Sequence, residues 1–338
     1  MDLRPSDDQR RLTEAFADLY GDLVTPDAVR EAEPLGHLPS LWSRLLRIGA
    51  VDMAVASGQD GEAITLLDLA LVAERHGGCL APAPLIEAQV AARLLARLPG
   101  AGPQAALAEM LAGKRVVTIA VRPASAGSAG LVPAGAIADD ALVLDGDRLL
   151  LVPLAGRAEP VRNLGCLPLA DVAVAADDPA VLTGPEALAL FGKAVDEWRV
   201  LTAAALSGLA TRALEIGVAY VKERKAFGRP VGAFQSVAHR LADRACEVDG
   251  CELLVREAAW AADADPGRFG ELAALALGFA AETARDTTYD ALHFHGGYGF
   301  MLEYPVQLYF RRARSWAAVL EEPAASFRTA AARAEGEL

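Results

Sequence analysis

The stretch 220–235 places the strongest constraint on the fold. It reads YVKERKAFGRPVGAFQ and joins two long helical patterns, an apolar one over 200–221 and a periodic one over 236–262. The stretch itself is a turn with glycine and proline, and it carries Arg224 and Arg229. Helix ends beside such a turn can direct an arginine fork and free backbone N–H groups at one anion. Short connections of this kind are also common between packed helices, so spacing alone leaves a plain solvated turn as the alternative.

A second glycine-rich stretch lies further along the chain. Residues 293–300 read HFHGGYGF and follow another predicted helix. Three glycines within four positions allow a backbone to approach a ligand closely or to adopt positive φ. Spacing alone also permits His295 to be a buried histidine satisfied within the core, and Phe227 and Phe234 to be ordinary core residues.

Composition and charge narrow the class of function. The chain has 338 residues, 53% of them hydrophobic, which is enough for two or three domains with a large core. A net charge of −13 argues against nucleic acid and against an anionic membrane as partners. The four cysteines show no metal-ligand spacing, so we expect reduced thiols and no metal. We expect neither a signal sequence nor a membrane-spanning run, and on that basis we expect a cytoplasmic protein.

The hydrophobic period predicts three domains and a fold that is α+β, mainly α. Residues 1–113 are predicted to be all-helical, beginning with a capping box at Ser6 and Gln9. Residues 114–184 have strand patterns and predict a small β-domain. Residues 185–338 are helical again and predict a four-helix bundle.

Two turns are predicted within this scheme. Residues 57–61 read SGQDG and predict a loop between helices of the first domain. Asp145-Gly146 lies between two apolar runs and predicts a β-hairpin in the middle domain. The last bundle helix is predicted to begin near Tyr304.

Taken together, the two glycine-containing stretches resemble the C-terminal helical domain of the acyl-CoA dehydrogenases. The resemblance is carried by RKAFG at 224–228, Gln235, HGGYGF at 295–300, EYPV at 303–306 and RRA at 311–313. It is ungapped over tens of residues on each side of the first turn, and it extends weakly into the N-terminal helices. It implies an acyl-CoA dehydrogenase fold with an N-terminal helical domain, a middle β-domain and a C-terminal bundle.

The resemblance implies FAD as the cofactor, bound at a subunit interface. The arginine matching Arg224 binds the FAD diphosphate of a neighbouring subunit, and a lysine would substitute poorly for its bidentate fork. The stretch matching 293–297 packs against the adenosine end of the cofactor. The implied FAD-binding residues are Arg224, Ala226, Phe227, Phe234, Gln235, His293, His295, Gly296 and Gly297.

In this family a glutamate removes the α-proton of an acyl-CoA thioester while the flavin accepts a hydride from the β-carbon. The family places that glutamate at either of two positions, which fall in register on Trp198 and Leu320. Glu197 and Glu321 are each one residue away, and one residue turns a helical side chain by about 100°. They are therefore weak candidates for the base, and Arg199 is a weak candidate for substrate binding.

The segment expected to face the flavin ring also departs from the family pattern. Where the family has Thr-Glu-Pro followed by Gly-Ser-Asp, residues 121–129 read VRPASAGSA and keep only Pro123, Gly127 and Ser128. The family's later Trp-Ile-Thr strand has no counterpart. The resemblance thus implies an intact half-site that reaches into a neighbour and an eroded half-site for the chain's own flavin ring.

These departures, with HGGYGF followed by LYFRR at 308–312, resemble the heteromeric α2β2 branch associated with steroid and other bulky acyl-CoA thioesters in actinobacteria. The resemblance implies a homologous partner subunit that carries the base, an acyl-CoA substrate from lipid or steroid β-oxidation, and an electron-transfer flavoprotein as acceptor. Three alternatives stay open. They are a self-sufficient homotetrameric dehydrogenase using Glu321 or Glu197, a flavin oxidase or monooxygenase of the same fold, and a non-catalytic assembly subunit.

Overall fold

A computed structural model describes residues 3–55 and 64–336. The predicted loop at 57–61 lies outside the described residues. The chain divides into two compact units, which we call the bundle unit (Met1–Asp27, Ala70–Ala81 and Arg199–Leu338) and the sheet unit (Ala28–Leu69 and Pro82–Trp198). These boundaries differ from the three predicted domains, 1–113, 114–184 and 185–338, which stay a prediction.

The chain is mainly helical, as predicted. The N-terminal helices are α1 (Asp7–Leu23), α2 (Pro26–Ala32), α3 (Pro39–Arg47), α4 (Leu66–Gly78), α5 (Leu85–Arg97) and α6 (Ala101–Leu111). The C-terminal helices are α7 (Pro185–Glu223), α8 (Gln235–Ala264), α9 (Pro266–His295), α10 (Val306–Trp316) and α11 (Pro323–Ala334).

The sequence pattern predicted the start of α1 but missed two of the helices. Ser6 and Gln9 form the predicted capping box, with each side chain bonded to the other's backbone N–H, and α1 follows it. Helices α2 and α11 were not predicted. Pro323 occupies the first turn of α11, where proline fits because its missing N–H would have no helical partner.

Seven strands lie between α6 and α7 and form two sheets. They are β1 (Val117–Ile119), β2 (Ser128–Val132), β3 (Asp140–Asp145), β4 (Arg148–Pro153), β5 (Ala158–Pro160), β6 (Ala170–Ala173) and β7 (Ala180–Thr183). One sheet has the order β1-β3-β4-β7, with β1 parallel to β3, and the other has the order β2-β6-β5. The core between them is apolar and includes Ala141, Val143, Leu150, Val152 and Val172.

The predicted hairpin is β3–β4, but its turn lies one residue later than predicted. Asp145 pairs with Arg148, so Gly146 and Asp147 are the turn residues. Gly146 has a φ of 62°, the left-handed conformation that glycine adopts without steric cost.

Helices α4 and α7 cross with their backbones in contact inside the bundle unit. A Cβ at Gly77 would lie 1.9 Å from the carbonyl oxygen of Ala205, and a Cβ at Gly208 would lie 1.9 Å from that of Glu74. Both positions therefore require glycine. This crossing fixes the middle of α7, the helix that leads into the stretch 220–235.

Helix α7 has 39 residues and is long and apolar enough, by length and composition, to cross a membrane. The expectation that no run reaches that length was therefore wrong. In the folded chain, however, 72% of its most apolar window is buried inside the protein. Core helices pass the same test, so length and hydropathy carry little weight here.

Candidate functional site

A short hairpin joins α7 to α8. Strand β8 (Lys225–Ala226) pairs antiparallel with β9 (Arg229–Pro230), and Phe227 and Gly228 form the turn with φ values of 53° and 80°. Positive φ at both turn positions costs glycine little, but a phenylalanine adopts it at a cost of about 1–2 kcal/mol. Phe227 is also 96% exposed. A strained aromatic side chain therefore projects into solvent from the tip of the hairpin.

The base of the hairpin is aromatic and basic. The Phe234 ring lies edge-on to the Phe227 ring at a centroid distance of 6.2 Å, and the Arg229 guanidinium lies 4.1 Å from the centre of the Phe234 ring. Ala226 is half-buried in β8, and Gln235 is the exposed first residue of α8. The structure thus places the predicted cofactor-contacting residues of this stretch around one exposed hairpin.

Arg224 follows directly after α7. Its backbone N–H donates to the Tyr220 carbonyl at 2.8 Å, and its own carbonyl accepts from the Val231 N–H at 2.8 Å. Its side chain is exposed, and the guanidinium carbon lies 5.8 Å from the centre of the Tyr298 ring. An exposed guanidinium on a fixed backbone is suited to bidentate bonding with a diphosphate.

The glycine-rich stretch ends α9 and forms a 3-10 turn. Helix α9 extends through His295, so the two histidines lie in its last turn and not after it as predicted. A Cβ at Gly299 would lie 2.7 Å from the Leu292 carbonyl oxygen, so packing requires a glycine there. A Cβ at Gly296 or Gly297 would meet nothing within 4 Å. These two glycines leave room for a ligand to approach the backbone.

Four aromatic side chains pack together beside this turn, and we call them the aromatic cluster: Tyr220, His295, Tyr298 and Tyr304. The His295 ring stacks on Tyr220 with 3.9 Å between centroids, and it lies edge-on to Tyr304 at 5.8 Å. Its Nδ1–H donates to the Ala291 carbonyl at 2.7 Å. Burial lowers the pKa of His295, although that hydrogen bond acts in the opposite direction. The ring is therefore neutral near pH 7.

The structure separates the two histidines that sequence reasoning grouped together. His293 is exposed and stacks on Tyr289 with 6.0 Å between centroids, whereas His295 belongs to the aromatic cluster. Residues two apart on a helix point in different directions, which explains the difference. Sequence reasoning missed Tyr220 and Tyr304 as site residues. Their positions, four residues before Arg224 and within EYPV, were the available signal.

The segment expected to face the flavin ring is a second tight turn, in the sheet unit. Ala126 and Gly127 have φ values of 51° and 78°, and the backbone N–H groups of Ser125 and Ser128 each donate to the other's carbonyl. The backbone N–H of Ala124 donates to the Leu144 carbonyl at 2.7 Å. The polar side chains of the turn 124–128 are those of Ser125 and Ser128, and the three backbone N–H groups named above are already bonded to carbonyls, so this turn offers few free donors to the polar edge of a flavin ring. The exposed hairpin does fit the diphosphate of FAD.

Glu197 is an internal ion-pair partner in the sheet unit. Its side chain is fully buried, and it accepts hydrogen bonds from Arg97 at 2.6 Å and Arg93 at 3.2 Å, both on α5. Burial alone would raise the pKa of Glu197, but the two arginines more than offset this and lower it. A base with a lowered pKa and no exposed surface is poorly suited to proton abstraction. Trp198, at the family's base position, is also fully buried.

Glu321 also forms an internal ion pair, in the bundle unit. One of its carboxylate oxygens accepts from Arg199 Nη2 at 3.1 Å and from Ser326 Oγ at 2.9 Å. Arg199, the candidate for substrate binding, is thus a buried ion-pair partner of Glu321. Across residues 3–55 and 64–336, no group of three or more His, Cys, Asp or Glu side chains could hold a metal ion.

The sequence matches one family model over part of its length and two curated proteins over nearly all of its length. Residues 188–319 match the family model described as acyl-CoA dehydrogenase, C-terminal domain. The chain is 32% identical over 322 residues to acyl-CoA dehydrogenase IpdE2 of Mycolicibacterium smegmatis, covering 94% of this chain and 96% of that protein. It is 28% identical over 325 residues to the protein of the same name from Mycobacterium tuberculosis, covering 95% of each.

The fold matches solved structures over all or nearly all of their length. A chain of the ChsE4–ChsE5 complex from Mycobacterium tuberculosis superposes with a TM-score of 0.88 and 24% identity, covering 100% of both chains. A chain of a Tcur3481–Tcur3483 steroid ACAD variant superposes with a TM-score of 0.88 and 26% identity, covering 98% of both chains.

Proposed function

The chain belongs to the acyl-CoA dehydrogenase family, and on that premise we propose that it completes the FAD site of a homologous partner subunit in a heteromeric enzyme. Family membership makes it an oxidoreductase that acts on acyl-CoA and indicates FAD as the cofactor, which confirms the sequence-based prediction of both. When bound, FAD accepts the hydride in α,β-dehydrogenation. The partner subunit supplies the base, and this chain supplies contacts to the diphosphate and adenosine.

The observation that carries the proposal is the exposure of Phe227 at 96% on a strained turn beside Arg224. A folded chain gains nothing by holding a large aromatic side chain in water in a left-handed conformation. An adjacent ligand and a second chain would cover it. Phe300 and Leu302, which are 66% and 71% exposed just after the glycine-rich turn, support the same interpretation.

The absence of a free glutamate at the two candidate positions supports a base in the partner. Glu197 is held by Arg93 and Arg97, and Glu321 by Arg199. Neither carboxylate is placed for the proton transfer that starts the reaction. The turn at 125–128 likewise offers few polar groups to a flavin ring. The chain therefore has one usable half of a cofactor site.

The solved neighbours support the assembly and the substrate class. The ChsE4–ChsE5 structure is, by its description, a complex, and the Tcur3481–Tcur3483 protein is a steroid ACAD. We extend both properties to this chain as proposals: an α2β2 assembly with a homologous dehydrogenase chain, and a steroid-derived or other bulky acyl-CoA substrate. The proposed electron acceptor is an electron-transfer flavoprotein.

Purification with and without a partner tests the proposal. The chain is purified alone and again after co-expression with a candidate partner acyl-CoA dehydrogenase chain, and flavin absorbance and subunit mass are recorded for both. We expect a colourless protein alone and one FAD for each pair of unlike chains in the complex. One FAD for each copy of the chain alone would overturn the proposal and favour the self-sufficient dehydrogenase or the oxidase.

A matched pair of variants tests the role of the hairpin in the complex. Arg224→Ala removes charge-assisted hydrogen bonds worth about 3 kcal/mol, so we expect FAD affinity to fall about 100-fold. Lys222→Ala removes the same charge from an exposed position two residues earlier and should change affinity only about threefold or less. Equal FAD content in the Arg224→Ala and unaltered complexes would indicate a non-catalytic assembly subunit.

A further inference from the structure

We propose that Tyr298 is a positioning residue, which holds the Arg224 guanidinium in place for the FAD diphosphate. The proposal rests on the proposed function for what Arg224 binds. Tyr298 contacts Arg224, and its proposed role requires no direct contact between Tyr298 and FAD. Arg224 and the aromatic cluster lie wholly within the bundle unit.

The contact between the two side chains is a cation–π interaction. The Arg224 guanidinium carbon lies 5.8 Å from the centre of the Tyr298 ring, within the range of about 6 Å over which such pairs attract. Within the described part of the chain, no carboxylate forms an ion pair with Arg224. The ring therefore orients the guanidinium without neutralising its charge, so the fork stays available to an anion.

The Tyr298 ring packs against another ring of the aromatic cluster. It lies 5.7 Å from the Tyr304 ring, which is edge-on to both His295 and Tyr220. The backbone that carries Tyr298 has little freedom, because a Cβ at Gly299 would lie 2.7 Å from the Leu292 carbonyl oxygen. Only 43% of Tyr298 is exposed. The ring is a supported surface and not a mobile side chain.

The same cluster also fixes the backbone of Arg224. The Tyr220 carbonyl accepts the Arg224 N–H at 2.8 Å, while the Tyr220 ring stacks on His295 at 3.9 Å. Tyr220 Oη further donates to the His295 carbonyl at 3.4 Å. Both ends of Arg224, its backbone and its guanidinium, are thus anchored to one group of aromatic residues.

Anchoring matters because arginine is among the side chains that lose most rotamer freedom when they are fixed. A guanidinium already held near its bound position loses less on binding, so affinity rises without any new contact to the ligand. An exposed cation–π pair contributes roughly a twofold to fivefold factor of this kind. Tyr298 is therefore expected to strengthen FAD binding only through Arg224.

The test measures FAD affinity of the assembly that binds FAD, by titrating the cofactor-free protein and following flavin fluorescence. The variants are Tyr298→Leu and Tyr298→Phe, each made with and without Arg224→Ala. We expect Tyr298→Leu to weaken FAD binding about fivefold and Tyr298→Phe to stay within about twofold of the unaltered protein, because phenylalanine keeps the aromatic face. In the Arg224→Ala background, Tyr298→Leu should have no further effect.

The last measurement separates positioning from plain packing. If Tyr298 only supported the fold, its loss would weaken FAD binding equally with and without Arg224, and that result would overturn the proposal. Unchanged affinity in Tyr298→Leu alone would also overturn it. Leu253→Ala is the control, since Leu253 is a half-exposed apolar side chain on α8 to which no role in the site is assigned, and it should leave the Arg224-dependent factor unchanged. Thermal melts check that each variant is folded.

The outcome also distinguishes this inference from the proposed function. A large loss of FAD in Arg224→Ala with no effect of Tyr298→Leu would reject the positioning role alone. No loss of FAD in Arg224→Ala would reject the diphosphate role of Arg224 and, with it, both proposals.

Discussion

Two tight turns in this chain have nearly the same backbone conformation but display different kinds of side chain. Phe227 and Gly228 have φ values of 53° and 80°, and Ala126 and Gly127 have φ values of 51° and 78°. Each turn thus places a residue other than glycine in the left-handed region, followed by a glycine. The first turn is flanked by arginines and presents an exposed aromatic ring, whereas the second presents alanines and serines.

Backbone geometry alone therefore does not define a cofactor site. Both turns carry the same kind of strain, and each is closed by hydrogen bonds of its own hairpin. The two turns differ in the side chains that they display and in the residues that pack next to each turn. The first is backed by Arg224 and the aromatic cluster. The second is backed by the apolar core of two sheets.

The most severe way to disturb the first turn is to separate the helices that support it. In Gly208→Ala the new Cβ would lie 1.9 Å from the Glu74 carbonyl, so α4 and α7 must move apart. We expect the free energy of unfolding to fall by at least about 3 kcal/mol, measured by urea denaturation. Gly192→Ala, on the same helix with nothing within 4 Å, should instead raise it by about 0.5–1 kcal/mol. Equal effects of the two variants would contradict the close crossing.

In the sheet unit, we expect Glu197 to stabilise the fold and not to act as a base. Glu197→Gln leaves Arg93 and Arg97 without their buried partner, so we expect a loss of about 3 kcal/mol in the free energy of unfolding. The pKa of Glu197 is lowered in the folded chain, so this stability is present above pH 4.5 and disappears as pH falls through the folded-state pKa. The difference between variant and unaltered chain should shrink accordingly in acid.

An exposed pair provides the control for Glu197. Glu215→Gln removes the partner of Arg212 at 2.7 Å, and since both side chains are more than half exposed the loss should be about 0.5 kcal/mol or less. Turnover for each folded Glu197→Gln complex should match that of the unaltered complex. A fall of about 100-fold or more in kcat without a change in stability would instead identify Glu197 as the base.

Replacing the strained residue of each turn tests the comparison directly. Asparagine tolerates positive φ better than alanine or phenylalanine, so Ala126→Asn and Phe227→Asn should each stabilise the chain by about 0.5–1 kcal/mol. Only Phe227→Asn should lower the FAD content of the complex, because only that turn is proposed to contact the cofactor. Chemical denaturation and flavin absorbance measure the two effects. Loss of FAD in Ala126→Asn would break the contrast between the turns.

The smallest expected effect is the pH dependence of the aromatic cluster. Burial lowers the pKa of His295 below 6.5, so the unfolded chain binds the proton more readily than the folded chain. Stability is therefore fully present above about pH 6.5 and declines as pH falls through the folded-state pKa. His295→Gln should remove this decline in a series of thermal melts. His293→Gln, at the exposed histidine two residues away, should leave it unchanged.

Much of the fold followed from local patterns. Apolar residues at helical spacing predicted α1, α4, α5 and the long C-terminal helices, and the change of period located the strands. Helix α2 was missed because seven residues give too little periodicity, and α11 was missed because no helix was predicted after the one expected to begin near Tyr304. The extent of α9 through His295 was missed because the glycines that follow were taken with the histidines as one loop.

The family, the mainly helical class and the turn that carries Arg224 and Phe227 could be predicted from the sequence, whereas the β8–β9 pairing within that turn could not. These depend on residues close together in the chain, where turn chemistry and periodicity act directly. Only the tertiary structure decided that Glu197 is bound by Arg93, 104 residues earlier, and that His295 stacks on Tyr220, 75 residues earlier. The partner of a side chain depends on how distant helices pack, and periodicity records only which face is apolar. The same packing brings His295, Tyr298 and Tyr304 to the end of α7, beside Arg224.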